Sequence, residues 1–304
     1  MNRMKGIAMI LSGAMLWGAT GPLIEWTLAF FNLSVPFLLT LRMSIAGLLL
    51  LAFLKGKNVQ VTAIFKQGIW LRQLVIFSIL GMLGCQYAFV AAIDVSNAVV
   101  ATLLQFLAPV YIIFFVSMRQ REWPPSYQVV GMLGTLAGLF LLLTNGRLDE
   151  LAIGGSALVW GLLLGLAFAF YTIYPARLMQ EWGVLLVVAW SMLIGGIFIG
   201  LINPIFLSTE WNKIMSVQAI LAIFGIIVIG TVAFVLFLSS MRFISAVETS
   251  ILSAFEPLTA MIISIFWFGK LLAPIQLTGA LAMLVFVTWL SLAGKEKQEK
   301  LETT

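Results

Sequence analysis

Residues 98–115 read AVVATLLQFLAPVYIIFF, an apolar run with Pro109 near its middle. Residues 246–263 read AVETSILSAFEPLTAMII and place Pro257 in a second apolar run. The offset that aligns the two prolines also aligns other identical residues, namely Ala98 with Ala246, Leu104 with Leu252, Gln128 with Gln276 and Gly131 with Gly279. The matched proline and glycine predict that the second half of the chain repeats the first.

The composition is that of an integral membrane protein. Of the 304 residues, 62% are hydrophobic and 10% are charged, far from the balance of a soluble domain. Ten helices of about 20 apolar residues each use about two thirds of such a chain. The connections between them are therefore short, and we expect no separate soluble domain.

Apolar runs bounded by charged or turn residues predict ten transmembrane helices. The runs are too long and too uniformly apolar for the strands of a membrane barrel. The first run directly follows the basic N-terminal residues, and we interpret it as an uncleaved span. The predicted limits are 6–26, 35–54, 71–92, 97–118, 126–145, 155–176, 183–203, 218–240, 246–268 and 274–293.

Basic residues give the orientation, because cytoplasmic loops carry an excess of Lys and Arg. With the N-terminus inside, the external loops hold only Arg147, Lys213 and Lys270, and Arg42 lies within a span. We therefore predict a multi-pass protein of the cell (cytoplasmic) membrane with both termini in the cytoplasm. The predicted cytoplasmic segments hold Arg3, Lys5, Lys55, Lys57, Lys66, Arg72, Arg119, Arg121, Arg177, Arg242, Lys295, Lys297 and Lys300.

Five spans per half turn the second repeat upside down relative to the first. The predicted fold is all-α, with ten transmembrane helices built as two inverted five-helix repeats. We assign residues 1–150 to the first repeat, residues 151–294 to the second, and residues 295–304 to a charged cytoplasmic tail. Two oppositely oriented halves can open a shared central site to either side in turn, which is the mechanism of many secondary transporters.

Residues that the chain lacks exclude several function classes. It has no histidine and a single cysteine, Cys85, which excludes histidine-dependent catalysis, a histidine metal site and an intramolecular disulfide. Gly146-Arg147 and Gly269-Lys270 lack the other residues of a phosphate-binding loop, so ATP-driven transport by this chain alone is excluded. We expect no enzymatic activity, no cofactor and no metal. We also expect no nucleic-acid partner, because the net charge of +5 comes from residues at span ends.

Two ionisable residues fall well inside predicted spans, where a charge is costly and indicates a function by default. Arg42 lies about two turns into the second span, and Glu256 directly precedes Pro257 in the ninth. Arg42 fits a substrate-facing role, a structural ion pair or a side chain that extends to water. Glu256 fits a cavity-facing role or a buried acid that satisfies the backbone beside the proline. Since the chain has no histidine, Glu256 is the candidate for coupling to protons.

Polar residues predict a partly polar stripe on each proline-bearing helix. Two such stripes would line a water-accessible cavity at the repeat interface, or would form hydrogen bonds between neighbouring helices. Helical spacing places the members on one face: Ser245, Thr249, Glu256 and Thr259 in the ninth span, with Asn97, Gln105 and Tyr111 in the fourth.

Prolines and glycines within spans predict hinges. Gly21 and Pro22 weaken the first span, and Pro109 and Pro257 each remove one backbone hydrogen bond from a helix. Aromatic side chains within spans are candidates for stacking against a substrate. These are Trp17, Tyr87, Phe170, Tyr171 and Tyr174.

With these residues in view, the chain resembles the EamA-type exporters of the drug/metabolite transporter superfamily over nearly its whole length. Two departures are Lys270, where the family has an acidic residue, and residues 168–172, where the first-span Trp-Gly pattern is poorly kept. The matching features are LWGATGP at 16–22, Arg42 in the second span, the run at 96–115, and SAVETSILSAFEP at 245–257.

The resemblance implies a ten-helix inner-membrane carrier whose substrate cavity lies between the repeats. Spans one to four and six to nine would surround the cavity, and the fifth and tenth would be peripheral and available for contacts in a homodimer. Family members are similar in exporting small metabolites such as amino acids, while others carry sugars, amines or nucleotide-linked sugars.

We predict a secondary transporter that exports a small metabolite by alternating access, with amino acids as the leading class and protons as a candidate coupling ion. The alternatives are a passive facilitator or uniporter, a carrier of sugars, amines or other small solutes, a channel, a membrane-embedded enzyme and a sensor that transports nothing. The predicted substrate-binding residues are Trp17, Thr20, Arg42, Tyr87, Asn97, Gln105, Tyr111, Tyr171, Thr249 and Glu256.

Overall fold

A computed structural model of the protein describes residues 2–105, 107–147, 155–268, 273–275, 277–282, 285–286 and 289. These residues form helices and connecting turns, and no β-strand occurs among them. The predicted tail at 295–304, Lys270 and much of the tenth predicted span lie outside the described residues.

Six stretches of described helix are long and apolar enough to cross a membrane: Arg3–Phe31, Val35–Gly56, Gly68–Val95, Gly155–Trp182, Val184–Ile202 and Val217–Ser240. A π-helical segment, Phe77–Leu83, joins α3 to α4. Within the described ranges the α-helices are α1 (Asn2–Phe31), α2 (Val35–Gly56), α3 (Gly68–Ile76), α4 (Gly84–Val95), α5 (Ala98–Gln105), α6 (Ala108–Gln120), α7 (Ser126–Thr144), α8 (Gly155–Ile173), α9 (Ala176–Trp182), α10 (Val184–Ile202), α11 (Val217–Ser240), α12 (Ala246–Leu252) and α13 (Phe255–Phe268).

Helix ends fall where the sequence supplies capping groups. Ser34 and Ser216 each accept a hydrogen bond from a backbone N–H in the first turn of the helix that follows, α2 and α11 respectively. At C-terminal ends, Arg121 follows α6 and Asn145 follows α7 in the left-handed backbone conformation, with φ of 55° and 52°. Because these signals are local, most predicted span limits agree with the helices to within a few residues.

The fourth and ninth predicted spans are not the continuous, kinked helices that we expected. Each is broken into two helices, α5 and α6 in one case and α12 and α13 in the other. Pro109 and Pro257 lie in the first turn of the second member of each pair. A first-turn N–H has no partner within its helix, so proline is tolerated there, whereas inside a helix it removes a hydrogen bond and clashes with the preceding turn.

The predicted hinge in the first span contains no helix break, because α1 continues as one helix through Gly21 and Pro22. The structure therefore shows no break at this position. Whether Gly21, Pro22, Pro109 and Pro257 act as hinges stays a prediction.

The two short helices α5 and α12 begin in the same way. The Asn97 side-chain oxygen accepts the Val100 N–H at 2.9 Å, and the Ser245 hydroxyl oxygen accepts the Glu248 N–H at 3.1 Å. Asn97 and Ser245 occupy equivalent positions at the offset that aligns the two prolines. Each side chain satisfies a first-turn N–H that would otherwise lack a partner.

Helix α1 links the starts of α5 and α12, which lie at opposite ends of it. Near one end of α1, Arg3 Nη2 lies 2.8 Å from Glu248 Oε1 in α12. Towards the other end, Glu25 Oε2 accepts the Ala98 N–H of α5 at 2.9 Å. Arg3 and Glu25 are about 30 Å apart along a straight helix, which is the thickness of the hydrocarbon core. We call the two ends the Arg3 side and the Glu25 side.

Helix packing is reciprocal between the two halves of the chain. Helix α1 packs against α11 and α13, and α8 packs against α4, α5 and α6. Helices α2 and α10, the second of each half, pack against each other. The first span, α1, thus contacts the eighth and ninth spans. The sixth span, α8, is its counterpart in the second repeat, and it contacts the third and fourth spans. The residues between these helices form the core.

Candidate functional site

A small void lies where helices from both halves of the chain meet. Its volume of about 30 Å³ is room for about one water molecule. At the predicted water-accessible cavity, the structure therefore has a void too small for a metabolite. Larger cavities lie at the periphery, but this one brings together the buried charged and amide side chains. The central void is lined by Trp17, Thr20, Ile24, Arg42, Cys85, Gln86, Phe89, Gln105, Phe168, Phe234 and Glu256.

Arg42 brings a cation into this void. Its side chain is 4% exposed, and its Nε has no hydrogen-bond partner among the described residues. The guanidinium carbon lies 5.6 Å from the centroid of the Phe234 ring. No described carboxylate lies within ion-pair distance of Arg42, so the expected alternatives of a structural ion pair and a side chain that extends to water do not apply. A buried cation without an anionic partner is costly.

Glu256 lies in the first turn of α13 and is 2% exposed. Its Oε2 accepts a hydrogen bond from Gln105 Nε2 at 2.8 Å. Gln105 is the last residue of α5, so this bond joins the two helix breaks across the centre of the protein. The carboxyl is also at the positive end of the α13 dipole. The Glu256 N–H donates to the Ser253 backbone oxygen at 2.9 Å, and among the described residues the carboxyl accepts no bond from a backbone N–H.

Gln86 is a member of the site that the sequence analysis missed. It is 2% exposed, and neither its Nε2 nor its Oε1 has a hydrogen-bond partner among the described residues. Most buried polar groups in proteins are paired, and an unpaired one costs about 1–3 kcal/mol. The signal in the sequence was an amide within an apolar run. Gln86 and Arg42 together present unused hydrogen-bonding groups to the central void.

Glycines make room for two of these groups. A Cβ on Gly230 of α11 would overlap the Arg42 guanidinium. A Cβ on Gly18 of α1 would overlap the backbone oxygen of Glu256. The absence of a side chain at these two positions therefore lets α11 approach Arg42 and lets α1 approach the start of α13.

Aromatic residues close the void on the Arg3 side. Phe168 and Thr172 lie one turn apart on α8, and Phe234 and Leu238 lie one turn apart on α11. The first of each pair lines the central void, and the second lines a separate cavity of about 300 Å³, which we call the vestibule. The barrier between them is thus about one helical turn, or about 5 Å, thick. It consists of the aromatic plug, Phe168, Tyr171, Phe234 and Phe237, whose ring centroids lie 5.2 Å to 5.8 Å apart in the pairs that touch.

The EamA-like transporter family matches this chain twice, over residues 4–144 and 155–292. The chain belongs to this family. It is 34% identical over 294 residues to YicL, an uncharacterized inner membrane transporter of Salmonella typhimurium, and the match covers 96% of this chain and 97% of that protein. An uncharacterized transporter of Archaeoglobus fulgidus is 28% identical over 206 residues, which are 66% of this chain and 71% of that protein.

A solved crystal structure has the same fold. It aligns with a TM-score of 0.75 over 96% of this chain and 98% of that chain, at 18% identity, so this likeness shows the fold alone. The family and the relatives indicate a multi-pass transporter of the inner membrane rather than an enzyme. A transporter of this family implies a small-molecule substrate and a lipid bilayer around it.

Five of the predicted substrate-binding residues of this EamA-like protein meet at the central void, and five do not. Those that meet are Trp17, Thr20, Arg42, Gln105 and Glu256. Of the others, Tyr87 lines a different cavity, and Asn97 caps α5. Tyr111 contacts α8 beside Gly165. Tyr171 lies within the aromatic plug, and the Thr249 hydroxyl oxygen is 3.4 Å from that of Ser240.

The predicted polar stripe on the ninth span is wrong. Because the helix is broken between α12 and α13, the spacing across the break does not place these residues on one face. Ser245 caps α12, and the Thr259 hydroxyl donates to the Phe255 backbone oxygen at 2.9 Å. Of the four stripe residues in the ninth span, Glu256 alone lines the central void.

Replacing Gly230 by alanine should destabilise the protein by about 1 kcal/mol, the low end of the cost of overpacking, because the added methyl group displaces the flexible end of the Arg42 side chain. Gly225→Ala is the matched control on the same helix, since its Cβ would only touch a Leu23 methyl group at 3.4 Å. There we expect no loss, because alanine is the better helix former. Thermal unfolding of the two purified variants measures the difference. Equal melting temperatures would contradict the contact between α11 and Arg42.

Proposed function

We propose that this protein is a secondary transporter that exports a small metabolite across the cytoplasmic membrane by alternating access, with amino acids as the leading class. The proposal includes ten helices in two inverted repeats, at 1–150 and 151–294, with the Arg3 side and the tail at 295–304 in the cytoplasm. It is supported by the repeated family match, by the reciprocal helix packing, and by the start of α5 and α12 at opposite ends of α1.

The observation that carries the proposal is the set of polar groups in the central void. Arg42 and Gln86 have unused donors, while Glu256 has a carboxyl that is bound only by Gln105 among the described residues. An amino acid has a carboxylate that Arg42 and Gln86 could bind and an ammonium group that Glu256 could bind. Both contacts would be charge-assisted hydrogen bonds, which are the stronger kind. The substrate would thus supply the anion that the buried Arg42 lacks.

The remaining lining is apolar and aromatic, and it would surround the side chain of the substrate. Trp17 and Phe234 have ring centroids 4.9 Å apart, so the walls touch when no substrate separates them. We infer that the void enlarges when α8 and α11 move apart at the aromatic plug, because this barrier is only about one helical turn thick. The same movement would connect the void with the vestibule and hence with the cytoplasm.

On the Glu25 side, a hydrogen bond between α1 and α5 takes the place of the aromatic plug as the contact that keeps the helices together. There the Glu25 carboxylate holds the first turn of α5 through the Ala98 N–H. Separation of α1 from α5 would open the void to the outside, and α5 ends at Gln105, the partner of Glu256. Binding of a proton or of the substrate ammonium to Glu256 would therefore act on the helix that closes this side.

A passive channel is the weaker alternative, because the central void has room for only about one water molecule and most of its lining side chains are buried. Sugars and simple amines are less suitable substrates, because neither has an anionic group that could pair with Arg42. A uniporter of amino acids uses the same site without ion coupling, and the proton dependence of transport separates it from the proposal.

Counterflow into proteoliposomes tests the proposed function. Vesicles loaded with an unlabelled amino acid should take up the labelled form, and a panel that includes sugars and amines identifies the preferred class. We expect saturable counterflow for an amino acid and none for amines that lack a carboxylate. Counterflow of sugars or amines alone, or flux that never saturates, would contradict the proposal.

A further inference from the structure

A second cavity lies on the outside of the helix bundle, between α8 and α10. Its volume is about 640 Å³, and we call it the lateral groove. The π-helical segment and α4 form its floor, with residues such as Leu83 and Gly84. Its edges are apolar and exposed, including Leu80, Leu166 and Ile202. In a membrane this opening faces the hydrocarbon core, where acyl chains are the available occupants.

The lateral groove reaches one surface of the protein. Tyr87 and Trp160 line its end, with ring centroids 5.5 Å apart, and the same two residues line a polar cavity of about 500 Å³. That cavity lies on the Glu25 side, beside the turn between α1 and α2. From Ile79 at the deep end to Asp94 at the surface the third span rises about 20 Å, which is slightly more than the thickness of one leaflet.

Charged groups surround the surface end. Asp94, Glu210 and Lys213 line this cavity, and we call them the rim. Glu210 is held by Ser34, whose N–H donates to Oε2 at 2.6 Å, and the Lys213 ammonium donates to the Asn32 backbone oxygen. Asp94 is exposed and has no hydrogen-bond or ion-pair partner in the described ranges. The rim therefore offers a free carboxylate and a cation to the same cavity.

We propose that the lateral groove and the rim form a binding site for a phospholipid with a primary-amine headgroup, phosphatidylethanolamine, in the leaflet on the Glu25 side. One acyl chain lies in the groove, the phosphate faces Lys213, and the ammonium group donates to Asp94. This site is separate from the central void, because α4 lies between them. Leu83, Gly84 and Tyr87 face the groove, whereas Cys85 and Gln86 face the void.

Headgroup chemistry makes the proposal specific. A primary ammonium can donate hydrogen bonds to Asp94, while the quaternary ammonium of phosphatidylcholine has no N–H to donate. Phosphatidylglycerol has no cation, and its net negative charge meets two carboxylates at the rim, Asp94 and Glu210. We therefore expect affinity to decrease from phosphatidylethanolamine to phosphatidylcholine and phosphatidylglycerol.

Native mass spectrometry of the purified protein in detergent measures this order from the first lipid adduct. Two variants fill the groove from different walls, Gly84→Leu and Ala167→Phe. A Cβ on Gly84 would make only ordinary contacts, at 3.5 Å to the Ile79 backbone oxygen and 3.8 Å to Ala167 Cβ, so a larger side chain at either position takes up space in the groove between α4 and α8. Each should weaken phosphatidylethanolamine binding by at least about tenfold, as expected when the buried area of several methylene groups is lost. Leu221→Phe, on an exposed face of α11, is the control and should bind as the wild type does.

Asp94→Asn tests the headgroup contact separately. It should reduce the preference for phosphatidylethanolamine over phosphatidylcholine by about tenfold, the effect of one charge-assisted hydrogen bond. Glu181→Gln, an exposed acid in α9, is the control. Unchanged binding in both groove variants, an unchanged preference in Asp94→Asn, or a wild-type preference for phosphatidylglycerol would each overturn the proposal. Counterflow is not needed for these measurements, so they stand apart from the proposed function.

Discussion

Replacing Arg42 by methionine is expected to abolish transport and to make the protein more stable. The side chain is buried, and its Nε is unpaired among the described residues, so in the empty protein it contributes a desolvation cost without a partner. Replacement of a buried ion pair by apolar residues of similar size often stabilises a protein, by about 1–4 kcal/mol, and removal of the unpaired Arg42 charge should act in the same direction. Loss of the partner for a substrate carboxylate costs about 3–5 kcal/mol, so counterflow should fall by at least roughly 100-fold.

Loss of counterflow together with a higher melting temperature would distinguish a role of Arg42 in substrate binding from a purely structural role. If Arg42 braces the helices, the methionine variant will melt at a lower temperature than the wild type, and that outcome would exclude the binding role. Arg42→Lys should retain part of the activity, because it keeps the charge but loses the planar fork that holds a carboxylate with two bonds. Arg72→Met is the control, since Arg72 is exposed on α3 and should change neither quantity. Counterflow and thermal unfolding on the same preparations provide the comparison.

Replacing Glu256 by glutamine is expected to remove the pH dependence of transport. The amide oxygen of glutamine can still accept the bond from Gln105, so the helix break should keep its geometry. The variant can no longer exchange a proton or attract the substrate ammonium. We expect its counterflow to be at least about tenfold slower, the effect of losing one charge-assisted bond, and to be flat across pH.

Glu122→Gln is the control for this prediction, because Glu122 is an exposed acid in the turn after α6. It should leave the pH profile of the wild type intact. A Glu256→Gln variant that keeps the wild-type profile would assign proton coupling elsewhere, while a variant that fails to fold would assign Glu256 a structural role. Circular dichroism and elution volume on a sizing column distinguish these cases from a true loss of transport.

The candidate site was predictable in part. Arg42 and Glu256 stood out because a charge inside an apolar run is rare, and Trp17 and Thr20 lie in a stretch that resembles the family. Gln86 was missed because the predicted polar stripes lay on the two proline-bearing helices, whereas Gln86 belongs to the third span. Asn97 and Thr249 were placed at the site by a stripe that assumed continuous helices, and the helix breaks removed that assumption.

The sequence by itself determined the helical spans and their approximate ends. These features depend on the hydrophobicity of a segment, on its capping residues and on proline, all of which act within a few residues of the chain. Proline favours a break without imposing one, since Pro109 and Pro257 each lie in a first turn whereas α1 continues through Pro22.

Only the tertiary structure decided which side chains meet. The bond from Gln105 to Glu256, the fit of Arg42 against Gly230 and the orientation of Gln86 depend on how each helix is rotated and how far it is shifted along its axis. A rotation of one residue turns a helix face by about 100°, and the energy that fixes this rotation comes from close packing with helices that are distant in sequence.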